Sequence, residues 1–287
     1  MSGPAVIGVD LGGTSVRAGL VVDGRLAEVR SAAVRSRGSE RDVLEDMFSV
    51  IDPILREDVA GIGAGVPSVI DLEAGVVYDV QNIRSWKKVP LKNHLEDRYH
   101  RPAYVNNDAN CFAAGEKYFG KAKPFASAVG LIIGTGLGSG IIANGRLYSG
   151  RNCGAGEFGM LPYLDGNFEA YASGQFFERV HGLTGRELSG RAAQGDERAL
   201  RILAEFGAHL GEAVKAICYA VDPETIVLGG SVSKSFRFFQ TTLWETFQSY
   251  AYSIARERLR IDVSETENIA LLGAAALYLD AAGRPGG

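Results

Sequence analysis

Two short stretches set glycines beside a threonine where an apolar run stops, and aspartates stand close to such ends. The first, GVDLGGTSV, places Asp10 two residues before Gly12, Gly13 and Thr14; the second, LIIGTGLGSG, carries Gly134, Thr135 and Gly136. Glycine has no Cβ, so its N–H can approach an anion closely and its backbone can reach φ > 0. Threonine adds a hydroxyl donor. A pair of such turns suits a polyphosphate. Phosphoryl transfer needs a phosphate cradle, a metal ion near the phosphates and a base for the attacking hydroxyl. Asp10, beside the first turn, is placed to hold magnesium directly or through water. The competing reading is a carboxylate that accepts backbone N–H bonds within its own turn. Asp108, in the NND run at a strand end, can serve as the base or can simply cap the helix that follows. Local sequence leaves those two level. Glu157 and Glu169 are acids inside glycine-rich, otherwise apolar segments, where a carboxylate suits several sugar hydroxyls or an ordinary surface loop.

The elements that would carry these residues are written twice. Residues 13–26, GTSVRAGLVVDGRL, align without a gap on residues 134–147, GTGLGSGIIANGRL, with six of fourteen positions identical. Each copy follows an apolar run and reads strand, Gly-Thr turn, strand, then an Asp-Gly or Asn-Gly pair that closes a hairpin. So distant a repeat suggests two domains of similar plan rather than a solenoid. After the first hairpin, Ser39 to Asp42 resembles a capping box, and Pro53 should shorten the helix it opens. A strand over 59–68 follows. Residues 69–90 read as irregular, with one short strand near Val76 to Val80. PAYVNND is a strand and DANCFAAGEKYFG a helix ending at Gly120. The preferred boundary lies in KAKP, giving an N-terminal domain over 1–120 and a C-terminal one over 121–287. In the second domain the spacing predicts helices over 174–181 and 186–194, then a long one from Asp196 to Ala220. TIVLGGSVS is a strand entering a glycine turn at Gly229 and Gly230. The last helix begins near Ile269 and packs back on the first domain. The pattern points to an α/β architecture.

Composition narrows the function. The chain has 287 residues, 46% of them hydrophobic and 22% charged, with a formal net charge of −4. That balance argues against a nucleic-acid-binding face. Cys111, Cys153 and Cys218 are widely spaced with no CxxC, which fits a reducing compartment. No signal peptide and no run of about 18 apolar residues are read, so the expected location is the cytoplasm, with no membrane partner. The four histidines lack metal-ligand spacing. Gly136-Leu-Gly138-Ser-Gly140 is not a GxGxxG fingerprint, and GEKYFGKA (115–122) has Ala122 where a P-loop needs Ser or Thr.

Taken together, the motifs resemble the ROK group (repressors, open reading frames and sugar kinases). GVDLGGTSVRAGLV is similar to its first phosphate motif and LIIGTGLGSGIIANGRLYSG to its second. NNDANCFAAGE resembles the segment bearing the catalytic aspartate, which falls on Asp108; IVLGGSVS resembles the element near the adenosine; and LLGAAAL resembles the closing helix. The resemblance implies a two-lobed actin/hexokinase-like (ribonuclease H-like) fold, each lobe a mixed sheet flanked by helices. It implies Mg·ATP-dependent phosphorylation of a hexose or hexosamine in a cleft between lobes, with Asp108 as base, and a homodimer. The sugar contacts it implies are Gly65, Asn82, Asn107, Glu157 and Glu169. Two departures stand out. Met160 occupies the usual histidine of a Glu-x-Gly-His step, and the CxCGxxGC zinc loop is missing, so no structural zinc is expected. Four residues ahead of Ala5 leave no room for the DNA-binding domain of the family's repressors. The rival reading is a non-catalytic sugar-sensing regulator on the same fold.

Overall fold

The computed structural model describes residues 3–80 and 82–283. Two five-stranded mixed sheets are built on one plan. The first runs, edge to edge, Arg25–Ala33, Ser15–Val22, Ala5–Leu11, Val59–Val66 and Ala103–Asn107; the second runs Arg146–Tyr148, Leu137–Ala143, Ala128–Ile133, Thr225–Gly229 and Arg260–Val263. In each, the leading strand pairs antiparallel with the strand after its Gly-Thr turn and parallel with a later strand on its other side. The duplicated sequence therefore folds as a duplicated hairpin. Asp23 and Gly24 sit at φ 50° and 74°, Asn144 and Gly145 at 52° and 78°. Two consecutive left-handed residues match the twist of the flanking strands, which is why Asp-Gly and Asn-Gly recur there.

By contact grouping the chain forms two units. One comprises Met1–Lys123, Arg146–Ala155 and Thr266–Gly287; the other comprises Pro124–Gly145 and Gly156–Glu265. The stretch 146–155 groups with the first unit.

In the first unit the helix Glu40–Ile51 opens with the expected capping box, Ser39 and Asp42 bonding reciprocally, and Pro53 converts its end to a 3-10 turn over Asp52–Ile54. The closing helix Ile269–Ala282 lies on the first sheet. Its LLGAAAL face is buried, as expected of a helix apolar on every side. Small residues let the backbones meet. A Cβ on Gly63 would stand 1.8 Å from the Ala274 carbonyl oxygen, and one on Gly273 would stand 1.9 Å from that of Cys111.

In the second unit the helix Glu197–Val221 is capped by Asp196, whose Oδ1 accepts from Arg198 and Ala199 N–H, and stops at Asp222 in the left-handed region. Leu203, Phe206, Leu210, Val214 and Ile217 form its buried stripe.

Residues 69–90 are more ordered than the sequence suggests. They form a three-stranded sheet of Val69–Asp71, Val76–Tyr78 and Lys88–Val89 around fully buried Ile70, Val77 and Trp86. Strands of two or three residues are too short for an alternating pattern to register. Arg260–Val263, at four residues, is little longer and escaped the sequence reading too. GGSVS opens a helix of only four residues, Gly230–Ser233, before a separate one over Phe236–Phe247.

Candidate functional site

In the first unit, Asp10, Gly65 and Asn106 are register partners across three adjacent strands, near the carboxyl ends of the parallel pair. Open α/β sheets bind ligands at those ends. The first turn is closed by Gly12 N–H donating to the Ser15 carbonyl at 2.9 Å, with Thr14 exposed beside it. Asn82 lies against Gly13, where a Cβ would come within 2.4 Å of the Asn82 Cβ. The structure thus brings together Asp10, the first turn and Asn82, residues the sequence scatters over some seventy positions. It also adds one that sequence reasoning missed. Arg17, opposite Asp10 in the antiparallel register, pairs with the Asp10 Oδ2 at 2.8 Å. The signal was available: a basic residue facing an acid across a hairpin whose turn length fixes the register.

Which residue caps the helix after NND is settled locally. The helix Asp108–Phe119 is capped by Asn107, whose Oδ1 accepts from Asn110 N–H at 2.7 Å. Asp108 is therefore the first helical residue. Among the described residues its carboxylate takes local backbone bonds, one of them from Ala109 N–H at 2.9 Å. The residue presents an open edge to solvent, yet protein atoms crowd the carboxylate. That desolvation raises its pKa above the ordinary aspartate value; the Ala109 bond opposes the rise and the charge of Asp10 adds to it. Asn107 is tied down on both sides, because its amide also donates to the Cys153 carbonyl at 3.3 Å. Beneath it, Asn106 bonds Ser149, Asn110 and the Cys153 thiol. Gly65 rests on the Cys111 sulfur.

In the second unit, the turn at Gly134 is closed by Gly134 N–H donating to the Gly136 carbonyl at 3.0 Å. A Cβ on Gly134 would meet nothing within 4 Å, so its face is open. Gly136 is the reverse case: a Cβ there would sit 2.5 Å from the Glu169 Oε2. Glu169 accepts from Leu137 N–H at 3.0 Å and from the Gln175 amide at 3.0 Å, so it braces the turn. Gly230, at φ 85°, would drive a Cβ to 2.3 Å from the Ile133 carbonyl. Glu157 lies on the surface ahead of the short 3-10 turn Phe158–Met160, and Met160 is 52% exposed.

Gly134 and Thr135 line a recess of about 380 Å³ together with Glu178, Arg186, Ser231 and Lys234. Arg186 and Lys234 had no motif to announce them: one lies in the first turn of the helix Gly185–Ala193 and the other just past the end of the short helix Gly230–Ser233, and only folding brings them to the turn.

Among the described residues no group of three or more His, Cys, Asp and Glu side chains is arranged to hold a metal ion. No helix among them is long and apolar enough to cross a membrane.

Paired sheets, each entered through a Gly-Thr turn, define a class. The chain matches the ROK family over residues 6–281 and belongs to that family. It is glucokinase-like: it is 31% identical to a glucokinase of Thermotoga maritima over 314 aligned positions, covering 97% of this chain and 98% of that protein. A ROK family glucokinase from Streptomyces griseus, solved in complex with glucose and AMPPNP, superposes with a TM-score of 0.78 at 27% identity, covering 95% of this chain and 98% of that one. A xylose repressor of Caldicellulosiruptor bescii is 26% identical over 314 positions, which take in 96% of this chain and 78% of the repressor.

Proposed function

We propose that the protein transfers the γ-phosphoryl group of ATP to a hydroxyl of a hexose or hexosamine, with Asp108 as general base. The observation that carries this reading is the division of labour at the helix start. Asn107 does the capping, so Asp108 keeps a carboxylate whose raised pKa makes it a better proton acceptor. The sugar O–H gives its proton to Asp108 as its oxygen bonds the γ-phosphorus; the bond from that phosphorus to the bridging oxygen breaks, and ADP departs. Gly12, Gly13 and Thr14 in the first unit, and Gly134, Thr135 and Gly136 in the second, each offer phosphate backbone N–H and hydroxyl donors. Gly229 and Gly230 turn the chain near the adenosine. Gly65, Asn82 and Glu157 remain as sugar contacts, whereas Asn107 and Glu169, whose side chains are already bonded within the fold, hold the segments around them in place. A thioether donates no hydrogen bond, so Met160 removes one such contact and shifts sugar preference.

Magnesium fits the donor set. Asp10 has one oxygen engaged by Arg17 and one available, and a lone carboxylate with waters and phosphate oxygens is how this ion is commonly held. When bound it neutralises charge on the phosphates. Asp10→Asn is expected to raise the magnesium needed for half-maximal rate roughly tenfold, read by titrating the ion at saturating ATP and sugar.

The test of the whole reading is ADP release over a panel of hexoses, N-acetylated and 2-epimeric hexoses included. One sugar or more should stimulate it strongly. Release that no sugar stimulates would refute it and favour a sugar-sensing regulator, the reading to which the repressor relative and Met160 lend support. The recess beside the second turn gives a separate check. Arg186→Ala and Lys234→Ala should each raise the KM for ATP roughly tenfold with little change in kcat, as loss of one charge-assisted contact does.

A further inference from the structure

The second turn is held from outside by three bonds, and all three come from one short segment. Leu137 N–H donates to Glu169, the Ser173 hydroxyl donates to the Thr135 carbonyl at 2.9 Å, and Gly174 N–H donates to the Gly134 carbonyl at 2.8 Å. This segment follows a small hairpin in which Pro162–Tyr163 pairs with Gly166–Asn167. From Leu161 to Gly166 the hairpin is exposed except at Tyr163, and Leu164 at its tip is 68% exposed. Tyr163 is therefore its anchor. The ring stacks on Phe168 at 4.6 Å between centroids with planes 18° apart, and its hydroxyl meets the His209 Nδ1 at 3.0 Å. His209 stands on the long helix Glu197–Val221, whose position the buried stripe fixes. Its ring is packed by Tyr171 at 5.0 Å and Phe176 at 5.2 Å.

We propose that Tyr163 and His209 are positioning residues for the Gly134–Gly136 turn, acting as a latch that fastens the segment bracing it to the long helix. Phe168, stacked on Tyr163, immediately precedes Glu169, so a shift of the hairpin moves the carboxylate that presses on Gly136. The consequence for catalysis rests on the assignment of that turn to ATP; the latch itself does not.

Protonation gives the latch a direction. Burial lowers the His209 pKa, while Glu205 and Glu212 on its own helix pull the other way. The remaining groups about it are Tyr163 from the hairpin, Tyr171 under the Arg179 guanidinium, and His181, which meets the Phe176 ring and Glu205. A histidine held neutral in the fold contributes stability that is present above its unfolded pKa and is lost as pH falls through the folded one. The latch should loosen on the acid side.

Amide exchange on the whole protein tests this without substrate. Tyr163→Phe keeps the ring stack and removes the hydroxyl; His209→Gln keeps a polar group and removes the titration. Both should speed exchange over residues 134–137 and 161–169 roughly fivefold, the worth of one neutral hydrogen bond, with no change over residues 11–16. Exchange in the wild type, corrected for its intrinsic rate, should rise over the same residues from about pH 7.5 to about pH 5.5, and the rise should vanish in His209→Gln. Both variants should raise the KM for ATP at constant kcat. Unaltered exchange at 134–137 in both variants, or equal acceleration at 11–16, would overturn the latch. Faster exchange with no sugar-dependent ADP release would uphold the latch and reject the kinase assignment.

Discussion

Asp108→Asn is expected to abolish sugar-dependent ADP release, with kcat falling about a thousandfold, the middle of the range for a lost general base, while ATP binding holds. The side-chain Oδ1 of asparagine still accepts from Ala109 N–H, so the helix start keeps its geometry. The cap is Asn107's and is untouched. A second readout separates chemistry from folding. The folded-state pKa of Asp108 is raised, so its contribution to stability is present below the unfolded pKa and lost as pH rises through the folded one. Near neutral pH the wild type bears the cost of an ionised, crowded carboxylate and the variant does not, so the variant should melt higher. A variant that is inactive and more stable fits a catalytic group; one that is inactive and less stable points to a structural role. The same shift sets a pH signature. The acid limb of kcat/KM should lie above the ordinary aspartate range, since the base must be ionised in the free enzyme. A variant that turns over at the wild-type rate removes Asp108 from the mechanism.

Gly63→Ala is expected to unfold the first unit far more readily, with stability falling by about 3 kcal/mol, the upper end for overpacking. The added methyl would overlap the Ala274 carbonyl oxygen of the closing helix, and that neighbour is backbone rather than a side chain able to turn away. The helix must lift off the sheet or the strand must shift, and the strand Val59–Val66 carries Gly65 at the site. Melting should move down by roughly 10 °C. Gly190→Ala is the control: it lies in the helix Gly185–Ala193 with nothing within 4 Å of the added carbon. That change should be neutral or stabilising by up to about 1 kcal/mol. Equal effects at both positions would mean that close approach of helix and sheet is not what holds this unit together.

The amino-acid sequence by itself determined the duplicated plan. Left-handed Asp-Gly and Asn-Gly pairs, glycines after apolar runs and a helical stripe from Leu203 to Ile217 act over a few residues each, so they can be read without coordinates. The caps at Ser39 and Asp196 and the helix stops at Gly120 and Asp222 belong to the same local physics. The strand at Val76–Tyr78 was read, but Val69–Asp71, Lys88–Val89 and Arg260–Val263 were lost because so few residues cannot show a period. What only the tertiary structure decided is which polar groups already have partners. Local sequence leaves Asp108 level between a base and the helix cap, and the folded chain gives the cap to Asn107. Glu169 braces Gly136, and Arg186 and Lys234 share a recess with the second turn, through placements that depend on how separate elements pack. A backbone turn is fixed by its neighbours in the chain; the charge state and availability of a side chain are fixed by its neighbours in space.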